Sequence, residues 1–125
     1  MTVHTTDLGR TVIGCAIEVH SALGPGLLES AYDRCLTEEF IGHRLTFQRQ
    51  VAVPIVYKGA TLDCGYRLDF VFADELVVEV KAVERLLSIH QAQMLTYLRL
   101  MRVRQGLVIN FNVPRLVDGV RSVLL

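Results

Sequence analysis

Apolar side chains first recur at spacings of three and four: Leu8, Val12, Cys15, Ala16, Val19 and Leu23 make one stripe, which predicts an amphipathic helix over 7–23. Gly24-Pro25-Gly26 stops it. A second stripe, Leu28, Tyr32, Cys35, Leu36 and Phe40, predicts a helix over 27–40, with Gly42 as its stop and Glu29 on the border of the stripe. The period then falls to two. Leu45, Phe47, Val51 and Val53 alternate in a strand that reaches Tyr57, where Lys58-Gly59 turns the chain into a second strand over 61–72. Pro54 cannot donate to a ladder, so the first strand is expected at a sheet edge or with a bulge, and Gly65 is a candidate bulge in the second. Ala73-Asp74-Glu75 leads into a third strand, 76–82. Ser88 and Gln91 fit a capping box for a helix to about 104, closed by Gly106, and a fourth strand covers 107–111; the tail from Arg115 fits a short helix or a strand. The third strand, helix and fourth strand form a βαβ unit, parallel and right-handed. The order α-α-β-β-β-α-β predicts an α/β fold, a mixed sheet flanked by helices, and with no linker or repeat in sight residues 1–125 are expected to form a single domain.

Composition narrows the functions. Of 125 residues 51% are hydrophobic, which points either to a very complete core or to an interface hiding extra apolar surface, as in a homodimer. Thirteen basic and thirteen acidic side chains cancel, which removes any global field that would steer a polyanion to the protein. The three cysteines, Cys15, Cys35 and Cys64, are far apart and odd in number, so neither a disulfide framework nor a paired zinc motif is available, and free thiols point to a reducing compartment. There is no secretory signal pattern and no apolar run of the ~20 residues that would span a bilayer, so the expectation is a cytoplasmic protein with no membrane partner.

The stretch "LDFVFADELVVEVKAV", residues 68–83, is where the chemistry enters. Alternation puts Leu68, Phe70 and Phe72 with Leu76, Val78 and Val80 on a core face, and Arg67, Asp69 and Val71 with Val77, Glu79 and Lys81 on the other. A three-residue turn sets Phe72 against Leu76 and therefore Asp69 against Glu79. Two carboxylates ~4 Å apart repel by about 4 kcal/mol at an effective dielectric near 20, more than one exposed ion pair returns. A divalent cation reverses that sign, and a site built from oxygen donors favours Mg²⁺ or Mn²⁺ over zinc. Lys81, two residues from Glu79, could then hold the attacking water or stabilise charge on a phosphate. The competing expectation is a salt-bridge ladder of Arg67, Asp69, Glu79 and Lys81 on a solvated face. On the following helix His90, Gln93, Tyr97 and Met101 share one face near the end of the third strand, where open α/β sheets place ligands.

Asp69 with Glu79-Val80-Lys81, followed by Gln93 on a helix, resembles the PD-(D/E)xK nuclease superfamily, which has a restriction-endonuclease-like core. Gly26-Leu27-Leu28-Glu29-Ser30-Ala31-Tyr32, with "AIEVHSALGPGLLESAY", "VEVKAVE", "AQMLTYL" and "GLVINFNVPRL", is similar to its GxxExxY branch over nearly the whole chain. The resemblance implies Mg²⁺-dependent phosphodiester hydrolysis, of DNA before RNA. It implies that Asp69, Glu79 and Glu29 hold the metal while Lys81 and Gln93 act in catalysis. Arg67, Arg85, His90 and Tyr97 are the candidate contacts to nucleic acid. Neutral net charge suggests that a dimer assembles the groove or that a protein partner delivers the substrate. The alternative is a non-catalytic nucleic-acid or protein interaction module that keeps the nuclease fold.

Overall fold

The computed structural model describes residues 4–125. Three helices, α1 (Asp7–Leu23), α2 (Glu29–Gly42) and α3 (Ser88–Met101), flank five strands, β1 (Gln48–Tyr57), β2 (Ala60–Phe72), β3 (Leu76–Lys81), β4 (Gln105–Asn110) and β5 (Val120–Leu124). The sheet order is β1-β2-β3-β4-β5; every pair is antiparallel except β3 with β4, the parallel pair that α3 bridges. The expected α/β architecture with a mixed sheet is therefore present. The ambiguous tail resolves into both alternatives, a 3₁₀ turn at Leu116–Gly119 and then β5. Among the described residues no helix is long and apolar enough to cross a membrane.

Two apolar layers enclose the sheet. On one face α1 and α2 bury Val12, Ala16, Tyr32, Leu36 and Phe40 against Phe70, Phe72, Val78 and Ile109. On the other, α3 buries Met94 and Leu98 against Val53, Leu68, Val71, Val77 and Val108. The second face is thus covered rather than solvated, and no salt-bridge ladder forms on it; Arg67 pairs instead with Asp63. Gly106 lies inside β4 rather than closing α3, and its lack of a side chain makes room for the Met94 thioether, which a Cβ there would meet. The helix ends earlier, with Arg102 in the left-handed region. Its start also differs from expectation. Ser88 is the first helical residue, and His90 takes Gln91's expected place: its Nδ1 accepts from the Leu87 N–H at 2.9 Å while its own N–H donates to the Leu87 carbonyl.

Pro54 does lie on the edge strand beside a bulge. Between the pairs Ala52↔Arg67 and Pro54↔Asp63, Cys64, Gly65 and Tyr66 face Val53 alone. Gly65 sits at φ +84°, where a side chain would be strained, and its N–H donates to Asp63 Oδ1 at 2.9 Å. Cys64 is exposed on this bulge, whereas Cys15 is buried; all three thiols are free.

A second irregularity positions the site. Arg49 pairs with Phe70 and Val51 with Leu68, but Gln50 and Asp69 between them drop out of the ladder, and Gln50 adopts φ +52°. The alternation of both strands reverses there: Phe47 and Phe70 pack under α1 and α2, whereas Val51 and Leu68 pack under α3. Leu68 therefore does not share a face with Phe70 as strict alternation predicts. The cost of a left-handed non-glycine residue, about 1–3 kcal/mol, is sustained by tight packing on either side.

Candidate active site

The register of β2 with β3 runs as expected through Phe72↔Leu76, Val71↔Val77 and Phe70↔Val78, and then the ladder stops. Side chains continue it. The Asp69 N–H donates to Glu79 Oε1 at 2.8 Å, and the Val80 N–H donates to Asp69 Oδ2 at 2.8 Å. Each carboxyl thus takes the place of a backbone carbonyl on the opposite strand, and the sheet opens into a seam held by two acids. Asp69 lies in the plane of this seam because of the reversal at Gln50, whose amide donates to Asp69 Oδ1 at 3.4 Å. The expectation that Asp69 and Glu79 project from one face is corrected to this extent: Glu79 faces α3, and Asp69 reaches towards α2.

On the α2 side Asp69 shares an open cavity of about 310 Å³ with Glu29, Asp33, Arg49 and Gln50. Glu29 is placed there by the loop before it. The Tyr32 hydroxyl donates to the Gly24 carbonyl at 2.7 Å and accepts from the Leu27 N–H at 3.1 Å, while its ring stacks on Phe111 with centroids 4.5 Å apart. The glycine-to-tyrosine phrase is therefore a clamp that fixes Glu29 as the first residue of α2, where the helix dipole favours a negative charge. Asp33, one helical turn on, is buried and ion-paired with Arg49. Sequence reasoning missed Asp33, Arg49 and Gln50. The four-residue spacing of Glu29 and Asp33 was the only signal for the first, and the strand positions gave none for the others.

On the α3 side Glu79 and Lys81 line a cleft of about 30 Å³ with His90, Gln93 and Tyr97, room for a water or two. Sequence-predicted His90, Gln93 and Tyr97 thus come together with Glu79 and Lys81, whereas Asp69 and Glu29 share the cavity on the α2 side. Arg67 sits on the β1–β2 arm, held by Asp63 at 3.0 and 3.1 Å, and Arg85 lies exposed in the loop before α3. That loop is tied down by Asn110, a buried side chain whose Oδ1 accepts from the Val83 N–H and whose Nδ2 donates to the Val83 carbonyl, both at 3.0 Å. His20 lies away from this cluster: it is buried, with Nε2 2.8 Å from the Val113 carbonyl.

Electrostatics set this cluster apart. Burial, then the charge of Asp69, pushes the Glu79 carboxyl up to about 8, against opposing help from the Asp69 N–H and Lys81. Asp69 is raised by burial despite its bond from Val80, and Glu29 is raised by burial and by Asp69 and Asp33 while Lys81 pulls it down. Burial and Glu79 raise the Tyr97 phenol. Acids with perturbed pKa values clustered around one amine are a recurring signature of functional centres.

The donor set fits a hard dication: three carboxyls and no sulfur or imidazole among the acids of the seam. Among the described residues, the group of three potential ligands whose donor atoms lie within 4.8 Å of one another is elsewhere, Cys15, Glu39 and His43 across α1 and α2. Burial and Glu39 push the Cys15 thiol there up to about 11, so it is a neutral thiol at physiological pH. The donor atoms of Glu29, Asp69 and Glu79 do not all lie within that limit of one another. Asp69 and Glu79 are nonetheless locked by backbone donors, leaving Glu29, exposed at a helix start, as the acid free to close in.

Neither a comparison with curated proteins nor one with solved structures finds a match. The model of the PD-(D/E)XK nuclease superfamily matches residues 6–123, which takes in both strands of the seam, the helix that carries Glu29 and the helix that carries Gln93. An acid on the second strand, an acid and a lysine two apart on the third, and a match of nearly full length lead to one conclusion: the chain belongs to the PD-(D/E)XK nuclease superfamily.

Proposed function

We propose that the protein is a divalent-metal-dependent nuclease of the GxxExxY branch that hydrolyses phosphodiester bonds, in DNA before RNA. The observation that carries this reading is the reciprocal bridge between Asp69 and Glu79, which holds two acids in a desolvated seam with Lys81 beside them. Nucleases of this superfamily generally use divalent metal ions. Asp69, Glu79 and Glu29 would hold Mg²⁺ or Mn²⁺, which when bound would offset their mutual repulsion and withdraw electron density from a phosphate oxygen.

The chain's own residues do the rest. The Lys81 amine, in a cleft of water size, positions the attacking water and meets charge building on the phosphate. Gln93, on the opposite wall, orients that water or the amine. Tyr97 and His90, from the wall of the cleft, and Arg67 and Arg85, from the arm and the loop before α3, are the proposed contacts to the nucleic acid. Leu28, 77% exposed beside Glu29, and Leu87, 50% exposed before α3, leave apolar surface flanking the site, which supports a homodimer or a protein partner completing the groove. Free thiols fit a reducing cytoplasm.

The test is a Mg²⁺ and Mn²⁺ titration against labelled single- and double-stranded DNA and RNA, with EDTA and with Glu79→Gln. Cleavage that needs the metal and is lost in the variant supports the reading. Cleavage that survives both overturns it, and binding without cleavage at any metal concentration marks a non-catalytic module.

A further inference from the structure

Beyond the seam, the face of α3 that carries Gln93 and Tyr97 continues into a second cavity, of about 260 Å³, walled by Ile55, Tyr66, Ile89, Gln93, Tyr97 and Leu100. It is apolar, open, and slightly below the roughly 300 Å³ at which pockets for drug-sized molecules begin, a size for one planar ring. Gln93 and Tyr97 line both this cavity and the cleft of Glu79 and Lys81, so an occupant would lie one side chain away from a phosphate held at the seam.

The bulge in β2 exists to present one of these walls. Gly65 in the left-handed region throws Tyr66 out of the strand, 48% exposed, with its ring 6.1 Å from that of Tyr97 and tilted 49° to it. Asp63 anchors the bulge from below through the Gly65 N–H and the Arg67 guanidinium. Ile89 is also 56% exposed, and Gln93 and Thr96 add polar groups to the lining, the Thr96 hydroxyl donating to the Ala92 carbonyl and so left as an acceptor. Aromatic and aliphatic walls with these polar groups among them suit a flat heterocycle that has polar edges.

We propose that this cavity is a nucleobase pocket and that the substrate is single-stranded or locally unpaired nucleic acid, with the base beside the scissile phosphate lying against Tyr66 and Tyr97. The inference rests on the nuclease reading for the position of the phosphate. A base within a duplex is paired and stacked on both faces and enters such a pocket only by flipping out, so the pocket selects strands whose bases are already free. Net charge points the same way. With thirteen charges of each sign the chain draws little affinity from phosphate attraction, which leaves base stacking to carry the binding and makes its salt dependence shallow.

The experiment uses the full chain in EDTA with oligonucleotides carrying one 2-aminopurine, as single-stranded DNA, single-stranded RNA and duplex. Quenching by the single strands, a loss of roughly 5- to 100-fold in affinity for Tyr66→Ala, and recovery in Tyr66→Trp are expected. Tyr66 is half exposed, so Tyr66→Ala should fold, and circular dichroism checks it. Equal binding of duplex, or affinity unchanged in both Tyr66→Ala and Tyr97→Leu, overturns the pocket. Nucleic acid that does not bind, with a dimer that Tyr66→Ala dissociates, overturns it in favour of self-association. Cleavage measured in parallel separates the two readings. Metal-dependent cleavage lost in Asp69→Asn but indifferent to Tyr66 keeps the nuclease and rejects the pocket; quenching without cleavage keeps the pocket and rejects the nuclease.

Discussion

Asp69 and Glu79 are bound to each other's strands rather than to each other: the N–H of Asp69 donates to the Glu79 carboxyl, and the Asp69 carboxyl accepts from the N–H of Val80. Two acids that would drive neighbouring strands apart are thereby made part of what joins them. The arrangement fixes one oxygen of each; the two N–H bonds pull the carboxyl pKa values down, and burial outweighs them and raises both. Four predictions follow from this geometry and from the clamp beside it, beginning with pH.

The folded chain holds a proton on Glu79 up to about pH 8, whereas the unfolded chain releases it near the ordinary 4.5. Between those values folding takes up a proton, so stability falls as pH rises through the window, by an amount on the order of a few kcal/mol. The upward shifts of Asp69 and Glu29 act in the same sense. Denaturant midpoints measured from about pH 5 to 8.5 should decline, and Glu79→Gln should flatten the decline. Metal affinity should rise over the same range, with proton release visible by calorimetry in two buffers.

Asp69→Ala and Asp69→Asn should both abolish metal-dependent cleavage but differ in stability. The alanine leaves the Val80 N–H without its acceptor in a part-buried seam, which costs about 1–3 kcal/mol, while asparagine keeps an acceptor oxygen. Equal unfolding midpoints for the two variants would show that this bond adds nothing.

Lys81→Met keeps the aliphatic stem and deletes the charge. Turnover should fall by about 10²–10³, the usual loss for one preorganised electrostatic contact, with the fold intact. The Glu79 carboxyl should move further up, because Lys81 is among the groups that pull it down. Single-turnover kinetics and a carboxyl-resolved NMR titration read the two effects separately.

Tyr32→Phe removes the hydroxyl that joins the Gly24 carbonyl to the Leu27 N–H but keeps the stack on Phe111. The expected loss of stability is about 1–2 kcal/mol. Loosening of the loop should weaken metal binding through Glu29 while leaving the cleft of Glu79 and Lys81 unchanged. A drop in metal affinity at unchanged turnover under saturating metal is the signature to measure.

Much of this was legible in the sequence, for identifiable reasons. The helix at 7–23, the start of a helix at Ser88 and the hairpin turned by Lys58-Gly59 are local patterns, and Pro54 announces an edge because it lacks a donor; the end expected near 104 falls at Met101. The register that sets Phe72 against Leu76 follows from turn length alone. Leu68 was misplaced because the reversal at Gln50 needs two strands to leave the ladder together, and neither residue carries a glycine or proline to mark it. A solvated second face stayed open as the competing reading for a similar reason: Asp69, Glu79 and Lys81 dilute its apolar pattern, so Val71 and Val77 did not read as core. At the site, the sequence offers candidates on contiguous motifs, whereas Arg49, Gln50 and Asp33, which meet the acids only through the fold, carry no such signal.

The paired departure of Gln50 and Asp69 from the ladder also limits how the chain can change length. Inserting or deleting one residue in β1 ahead of this point would return one strand to strict alternation and leave the other reversed, exposing one apolar layer while crowding the other. Length changes there must be compensated in both strands, whereas the tip at Lys58-Gly59 can grow or shrink freely. Relatives of this chain should therefore vary in the reach of the arm and be uniform in the count of residues between it and the acids.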